Sequence, residues 1–519
     1  MTILQILSPY THGRSGLISA YAITLLALGA AFWARRAELL EFAGLPLRAL
    51  PVCGVALMCW TIVRSLLAPY LTFDGAVALG TAVLFLGLFG YFSGLLLRRV
   101  IRGVNVERGA LLRSSKNRRV RRGVLQLAGI PVPPLDETKH FKCLGTTGTG
   151  KSTAIRGLLR GALLRGDRAI IADPDGSYLA HFYDPARGDQ ILNPFDERSA
   201  RWSLFEELKS PFDIEQLARA LIPEHGDAAG REWRGYARTL FCAITRQLHD
   251  ANESDLGKLY RLLTNASAKE LRVLVAGTAA EPFLEASNAK MFGAIRSVLS
   301  AAVATLDHVD KQTGEPLSVR SWIRSGTGVL FMPYLAGQIA AVGSLIASWL
   351  RIAIYEAMSQ PEGDLRLWYI VDELDALGAI DGLKDALARL RKFGGRCVLG
   401  MQSIAQVRAC YGEADAHTII ENCGTSLILR CSASESGGTA RFASDLIGDR
   451  QIRRLEYTQS VTRSGVLSAG ATRHQRTQSE RTVIEPAVLS AEIEQLADFH
   501  GFLKLASQPE WWRIRVRGP

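Results

Sequence analysis

The alternation of apolar and polar positions changes character several times along the chain. Gly16 to Ala34 carries no charge and stops at Arg35-Arg36, and Gly75 to Leu97 carries none and stops at Arg98-Arg99. A helix needs roughly 20 apolar residues to cross a bilayer, so both runs are predicted to span. Ala49 to Val63 is also uncharged but shorter; a third helix, an interfacial segment and an extracytoplasmic loop all remain open for it. The first run is long for a cleaved signal peptide, and "FWARRAELLEF" behind it offers no small-residue cleavage site, so a retained helix is expected.

Beyond this region the rhythm becomes that of short buried strands. "HFKCLG", "RAIIADPDG" (168–176), "TGVLFMPY" (327–334), Leu367 to Val371, "RCVLGMQS" (396–403) and "TSLILRC" (425–431) are compact apolar runs, several separated by helical stretches. Strands apolar on both faces suit a parallel sheet covered on both sides, which predicts an α/β fold. From about 205 to 325 strand-like runs are few. There "MFGAIRSVLSAAVATLDHV" places Met291, Ile295, Val298, Leu299, Ala302, Val303 and Leu306 on one helical face. The expected organisation is therefore an N-terminal membrane anchor over 1–100 and a nucleotide-binding domain over 101–204 and 326–519. An all-α insertion over 205–325 interrupts that domain.

Charge sharpens this outline. The 519-residue chain holds 61 Lys and Arg against 50 Asp and Glu, a net +11 that favours an anionic partner, nucleic acid or phospholipid. Residues 98–122 concentrate ten Lys or Arg around the single acid Glu107. Positive charge flanking a span marks its cytoplasmic side, so everything that follows is expected to face the cytoplasm. The eight cysteines form no C-x-x-C pair, and most lie in apolar runs, as small core residues of a reducing compartment would.

The most informative stretch is "GTTGTGKS", residues 145–152, which fits G-x-x-x-x-G-K-[ST] between a predicted strand and a predicted helix. Gly145, Thr146, Thr147, Gly148, Thr149, Gly150, Lys151, Ser152 and Thr153 form the candidate cradle. Its glycines let backbone N–H groups point at phosphate oxygens, and the helix N-terminus adds partial positive charge. Lys151 is expected to reach the outer phosphates of ATP, and the Ser152 hydroxyl to ligate Mg²⁺. An acidic partner is expected at the end of another buried strand, where Asp372 and Glu373 follow Leu367–Val371. Asp372 would hold the metal and Glu373 would polarise the attacking water; the alternative for Asp372 is an ordinary helix cap. Gln402 follows a further strand that ends at Gly400, and a γ-phosphate contact and a plain loop amide are both open for it.

These segments, together with "DPDGSYLAHFYDPARGDQILNPFDERSARWSLFEEL", "LRKFGGRCVLGMQSIAQV" and "AEIEQLADFHGFL", make the chain resemble the TraD/TrwB type IV coupling proteins of bacterial conjugation from about residue 100 onward. The resemblance implies a RecA-like P-loop NTPase core with an inserted all-α domain, anchored in the bacterial inner membrane with its motor in the cytoplasm. It implies a homohexamer that hydrolyses ATP with Mg²⁺ to pass single-stranded DNA, with an attached relaxase of the relaxosome, towards a type IV secretion channel. Gln402 then corresponds to a γ-phosphate sensor. Arg391, in "ARLRKFGG", matches an arginine that reaches a neighbouring subunit's nucleotide; a plain surface arginine is the alternative. The sequence ends soon after "WWRIRVRGP" without the long acidic extension of some relatives, so cargo choice is expected to rest elsewhere.

Two other functions fit parts of the pattern. A membrane-anchored double-stranded DNA translocase for chromosome segregation shares the anchor and the motor, but usually adds more spans and a C-terminal winged helix. A non-hydrolysing docking scaffold would use ATP only to fold or assemble, and the intact Asp372-Glu373 pair speaks against it. The polar, basic stretch 463–481 is a candidate pore loop or a surface loop.

Overall fold

The computed structural model describes residues 100–107, 124–223, 228–363, 365–434, 437–463 and 472–517. The expected spans Gly16–Ala34 and Gly75–Leu97 lie outside them. The chain divides into two compact units, one of residues 104–448 with 486–519, the other of residues 1–103 with 449–485. This division interrupts 326–519 and does not set 205–325 apart.

The larger unit is built on a ten-stranded sheet. Its strands are β1 (Val106–Glu107), β2 (Phe141–Leu144), β3 (Arg168–Pro174), β4 (Gln190–Ile191), β5 (Val329–Tyr334), β6 (Leu367–Val371), β7 (Gly395–Met401), β8 (Thr425–Ile428), β9 (His500–Lys504) and β10 (Trp511–Arg515). They lie in the order β1-β10-β9-β8-β2-β7-β6-β3-β5-β4. The run from β8 to β4 is parallel throughout, whereas β9 and β10 join antiparallel. The six strands expected from sequence are all present in the parallel part. What the apolar runs did not reveal is their order: β7 pairs with β2 on one side and β6 on the other. It therefore lies between the strand that leads into the glycine loop and the strand that ends at Asp372.

Side chains alternate across this sheet as the two-residue period requires. Leu367, Tyr369 and Val371 of β6 join one core, while Trp368 and Ile370 join the other. The second core receives Ile155, Leu158, Leu159 and Ala162 of α1 (Lys151–Leu164) and Tyr178 and Leu179 of α2 (Ser177–Phe182).

The first core is continuous with the helices that follow. These are α3 (Pro211–Leu221), α4 (Ala228–Asp250), α5 (Leu256–Thr264), α6 (Ala268–Leu274), α7 (Ala289–Val303), α8 (Leu306–Asp310) and α9 (Val319–Ser325). In α7 the buried positions are Phe292, Ile295, Leu299 and Val303. The predicted stripe faces the core, with Ile295, Leu299 and Val303 buried and Met291, Val298 and Ala302 partly buried against it; the helix ends at Val303, so the buried Leu306 belongs to α8. The next helix, α10 (Ile339–Met358), is long and apolar enough to cross a membrane, yet 67% of its most apolar window is buried in the protein, as a core helix would be. Trp349 of α10 meets Trp202 edge to face, with centroids 5.8 Å apart, which ties α10 to the segment that leads into the helical region.

Buried charge closes that base. The carboxylate of Glu207, 1% exposed, accepts hydrogen bonds from Trp202 Nε1 at 2.9 Å, Val319 N at 2.7 Å and Arg320 N at 3.1 Å. It thereby joins the entry of the helical region to the first turn of α9 at its exit. Arg320 in turn pairs with Asp213 at 2.8 Å and Glu356 at 3.1 Å.

In the smaller unit, Val100–Gly103 pairs antiparallel with the long strand Asp449–Arg463, which is joined in one sheet with Thr472–Pro486. The predicted pore-loop candidate thus falls partly in a strand and partly, at 464–471, outside the described residues. Among the described residues, Cys143, Cys397, Cys423 and Cys431 are free and buried, in line with a core role, and Cys242 and Cys410 are free and partly buried.

Removing one member of a buried ionic network leaves its partners uncompensated and costs roughly 3–5 kcal/mol. Glu207→Ala is expected to lower unfolding free energy by about that amount, read as a shift of the urea midpoint at an unchanged m-value.

Candidate nucleotide site

The carboxyl ends of the parallel strands carry the predicted chemistry. The all-buried β2 delivers the chain into the loop 145–150, and α1 begins at Lys151. Gly148 and Gly150 take φ of 79° and 100°, a left-handed backbone that suits glycine. At Gly150 a second reason appears: an added Cβ would stand 2.6 Å from the ring of Phe499. The loop is held from three sides. Gly145 N donates to Met401 O at 3.2 Å, Thr146 N to Arg430 O at 2.9 Å, and Phe499 N to Thr149 O at 2.9 Å. Within the loop, the Thr149 hydroxyl donates to Thr146 O at 2.7 Å.

Lys151 and Asp372, distant in sequence, come together here. Lys151 Nζ lies 3.7 Å from Asp372 Oδ1, with both residues buried. Neither atom has a hydrogen-bond partner. Buried ammonium and carboxylate atoms are costly unless satisfied, so this gap is chemically incomplete. An anionic phosphate for Lys151 and a cation for Asp372 are the groups that complete it. The residues present therefore fit a nucleotide with a divalent metal.

Asp372 is not a helix cap: its other oxygen, Oδ2, accepts from the Tyr178 hydroxyl at 2.9 Å. Glu373 beside it is half-buried. Loss of solvent raises its pKa above the usual carboxylate range, opposed by the Lys151 charge and the Gln402 hydrogen bond. Gln402 Nε2 donates to Glu373 Oε1 at 2.7 Å, while Thr147 Oγ1 donates to Gln402 Oε1 at 3.3 Å. Gln402 thus bridges the glycine loop and the acid pair, which the central place of β7 makes possible. Gly400 permits that close approach, since a Cβ there would stand 2.1 Å from Asp372 O. Ser152 and Thr153 occupy the partly buried first turn of α1.

Arg391 is not part of this cluster. It lies exposed in the turn before β7, at the opposite end of the sheet. Seven strand residues at about 3.3 Å each put it about 20 Å from Gln402.

Several site residues were not singled out from sequence. Asp173, fully buried at the end of β3, accepts from Tyr178 N at 2.9 Å and Leu179 N at 2.7 Å, with burial first among the causes that raise its pKa to about 6. Tyr178, Asp173 and Phe499 all fall within the quoted "DPDGSY" and "ADFHG" segments, so the signal was the motif, without a role attached. Tyr334 has a buried hydroxyl without a partner; burial and then Glu373 keep it protonated.

Comparison with known proteins agrees with this geometry. Residues 124–517 match the family model of the type IV secretion-system coupling protein DNA-binding domain. This chain belongs to the type IV secretion-system coupling proteins. It is 31% identical over 354 residues to the coupling protein TraD of Escherichia coli K12, covering 66% of this chain and 49% of TraD. A shorter match of 157 residues, 29% identical, joins it to the coupling protein VirD4 of Bartonella quintana, over 30% of this chain and 23% of VirD4. The chain therefore spans about half of TraD or less of these curated relatives. Among solved structures, the conjugative coupling protein TrwB, lacking its N-terminal segment, superposes with a TM-score of 0.70 at 29% identity, covering 81% of this chain and 94% of that one. TrwB has also been solved with the non-hydrolysable ATP analogue ADPNP and with ADP and Mg²⁺, with TM-scores of 0.69. The coupling-protein core is thus α/β with a phosphate loop.

Gly150→Ala forces a left-handed backbone onto an L-residue, at roughly 1–2 kcal/mol, and drives a methyl into Phe499. Fluorescent ATP-analogue titration is expected to show at least about tenfold weaker binding for this variant than for wild type.

Proposed function

We propose that this coupling protein is a membrane-anchored ATPase that links a relaxosome to a type IV secretion channel and drives single-stranded DNA through it during conjugative transfer. The observation that carries the reading is the buried, unsatisfied Lys151–Asp372 gap, flanked by Glu373 and Gln402. The family match and the nucleotide complexes of TrwB support it.

The backbone amides of Gly145 to Gly150, Lys151 and the first turn of α1 hold the phosphates. Ser152 and Asp372 are the metal-side residues. Bound ATP·Mg²⁺ supplies the scissile phosphoanhydride and the charge neutralisation at its outer phosphates. Glu373, kept basic by burial yet ionised by Lys151 and Gln402, orients and polarises water. Gln402, tied at once to Glu373 and Thr147, senses the γ-phosphate position and passes it to the glycine loop.

In this reading six copies form a ring, and Arg391, too far from its own site, serves a neighbour's. Such an arginine would couple hydrolysis to assembly by stabilising transition-state charge. Residues 1–100 anchor the ring in the inner membrane, and the helices over 205–325 form its all-α part. DNA is held mainly by phosphate contacts, without regard to sequence.

Lys151→Ala and Glu373→Gln are expected to abolish an ATPase activity that single-stranded DNA stimulates in the wild type. Donor cells lacking the protein should lose conjugative transfer; transfer at normal frequency would overturn the coupling role.

The pH profile gives an independent check. A base is lost as pH falls through its pKa, so the raised pKa of Glu373 places the acid limb of kcat above that of an exposed glutamate. Gln402→Leu removes a donor that favours the ionised form, and should move that limb to still higher pH, besides lowering kcat.

A further inference from the structure

Among the described residues, the Tyr178 hydroxyl is the hydrogen-bond donor that holds the Asp372 carboxylate. Tyr178 is fully buried, and its Oη donates to Asp372 Oδ2 at 2.9 Å. Its backbone is anchored separately. Asp173, at the end of β3, accepts from Tyr178 N and Leu179 N and so holds the first turn of α2 against the sheet. The turn from strand to helix passes through Asp175 and Gly176, both left-handed, with φ of 57° and 65°. Because β3 and β6 are parallel neighbours with Val371 beside Ala172, Asp372 follows directly beside Asp173. The phenol thus reaches across from α2 to the acid on the adjacent strand.

This contact has a chemical consequence. Of the two oxygens of Asp372, the one facing Lys151 stays without a partner and the other is occupied. A carboxylate free to rotate would close the 3.7 Å gap onto the Lys151 ammonium, since a direct charged hydrogen bond is shorter, near 2.7–2.9 Å. That closure would consume both groups the nucleotide and metal require.

We propose that Tyr178 is a positioning residue for metal binding: its hydroxyl holds the Asp372 carboxylate away from Lys151 and presents Oδ1 to the divalent cation. The inference rests on the nucleotide reading of this site. Groups that orient metal-side ligands typically change metal affinity by 10–100-fold when removed.

The test uses the full-length chain in detergent, with fluorescent ADP as probe and Mg²⁺ titrated from an EDTA-treated start. In the wild type Mg²⁺ tightens ADP binding with a measurable half-saturation. Tyr178→Phe removes one oxygen and is expected to raise that half-saturation at least about tenfold, with an unchanged melting temperature in EDTA. On an Asp372→Ala background the same substitution should do nothing further, because its effect passes through that carboxylate. Asp173→Asn, which loosens the first turn of α2 without touching the phenol, should raise the half-saturation in the same direction. It carries the test if the Phe variant does not fold. An unchanged Mg²⁺ half-saturation in Tyr178→Phe, or an equal loss with and without Asp372, would overturn the proposal and leave Tyr178 a packing residue. Failure of the wild type to bind ADP would instead overturn the nucleotide reading itself.

Discussion

Two opposite charges buried side by side, and kept from completing a bond, are the constraint around which this protein is arranged. Lys151 opens a helix and Asp372 directly follows a strand, and they meet 3.7 Å apart with an orphan atom on each. A folded interior ordinarily satisfies such atoms, so holding them open needs support from elsewhere. The support here is specific. Phe499, Arg430 and Met401 hold the backbone of the glycine loop, Tyr178 holds the far side of the Asp372 carboxylate, and Gln402 spans from the loop to Glu373. Tyr178, Met401 with Gln402, Arg430 and Phe499 come from separate parts of the sequence and gather at the end of the sheet where its parallel strands finish.

The sheet order explains why this assembly is possible. With β7 inserted between the loop strand and the acid strand, a residue at the end of β7 stands between phosphate loop and acid pair. Gln402 takes that place, and Gly400 two residues earlier lets the two strand ends approach. The helical region is joined to the same framework rather than attached beside it. Its hydrophobic core is continuous with one face of the sheet, and Glu207, Arg320 and Glu356 tie its two ends and α10 together through buried hydrogen bonds. Movement of the helices would therefore be felt at the sheet through packed side chains and not through a loose linker.

Much of this was legible beforehand, for reasons that can be named. The strands β2, β3, β5, β6, β7 and β8 are short and predominantly apolar, with few interruptions such as Lys142, Arg396 and Ser426, and that pattern has few other solutions. The phosphate loop was legible because its glycines and Lys151 serve local backbone geometry within a single turn. Asp372 and Glu373 were legible because acids immediately behind a buried strand are conspicuous. Tyr178 and Phe499 carried no such mark: a buried aromatic in a motif reads as core until its hydroxyl or its amide is seen to have a particular partner. Arg391 was legible as a residue and not as a member of the site, since its own chain places it at the other end of the sheet.

The sequence by itself determined the elements, the phosphate loop and the identity of the acids, because these follow from local periodicity and from residues close together along the chain. Only the tertiary structure decided which strands are neighbours, that Lys151 and Asp372 share one gap, and which oxygen of Asp372 is left free. Those outcomes depend on contacts between residues hundreds of positions apart, where packing of the two sheet faces and satisfaction of buried polar atoms select one arrangement that no local pattern encodes.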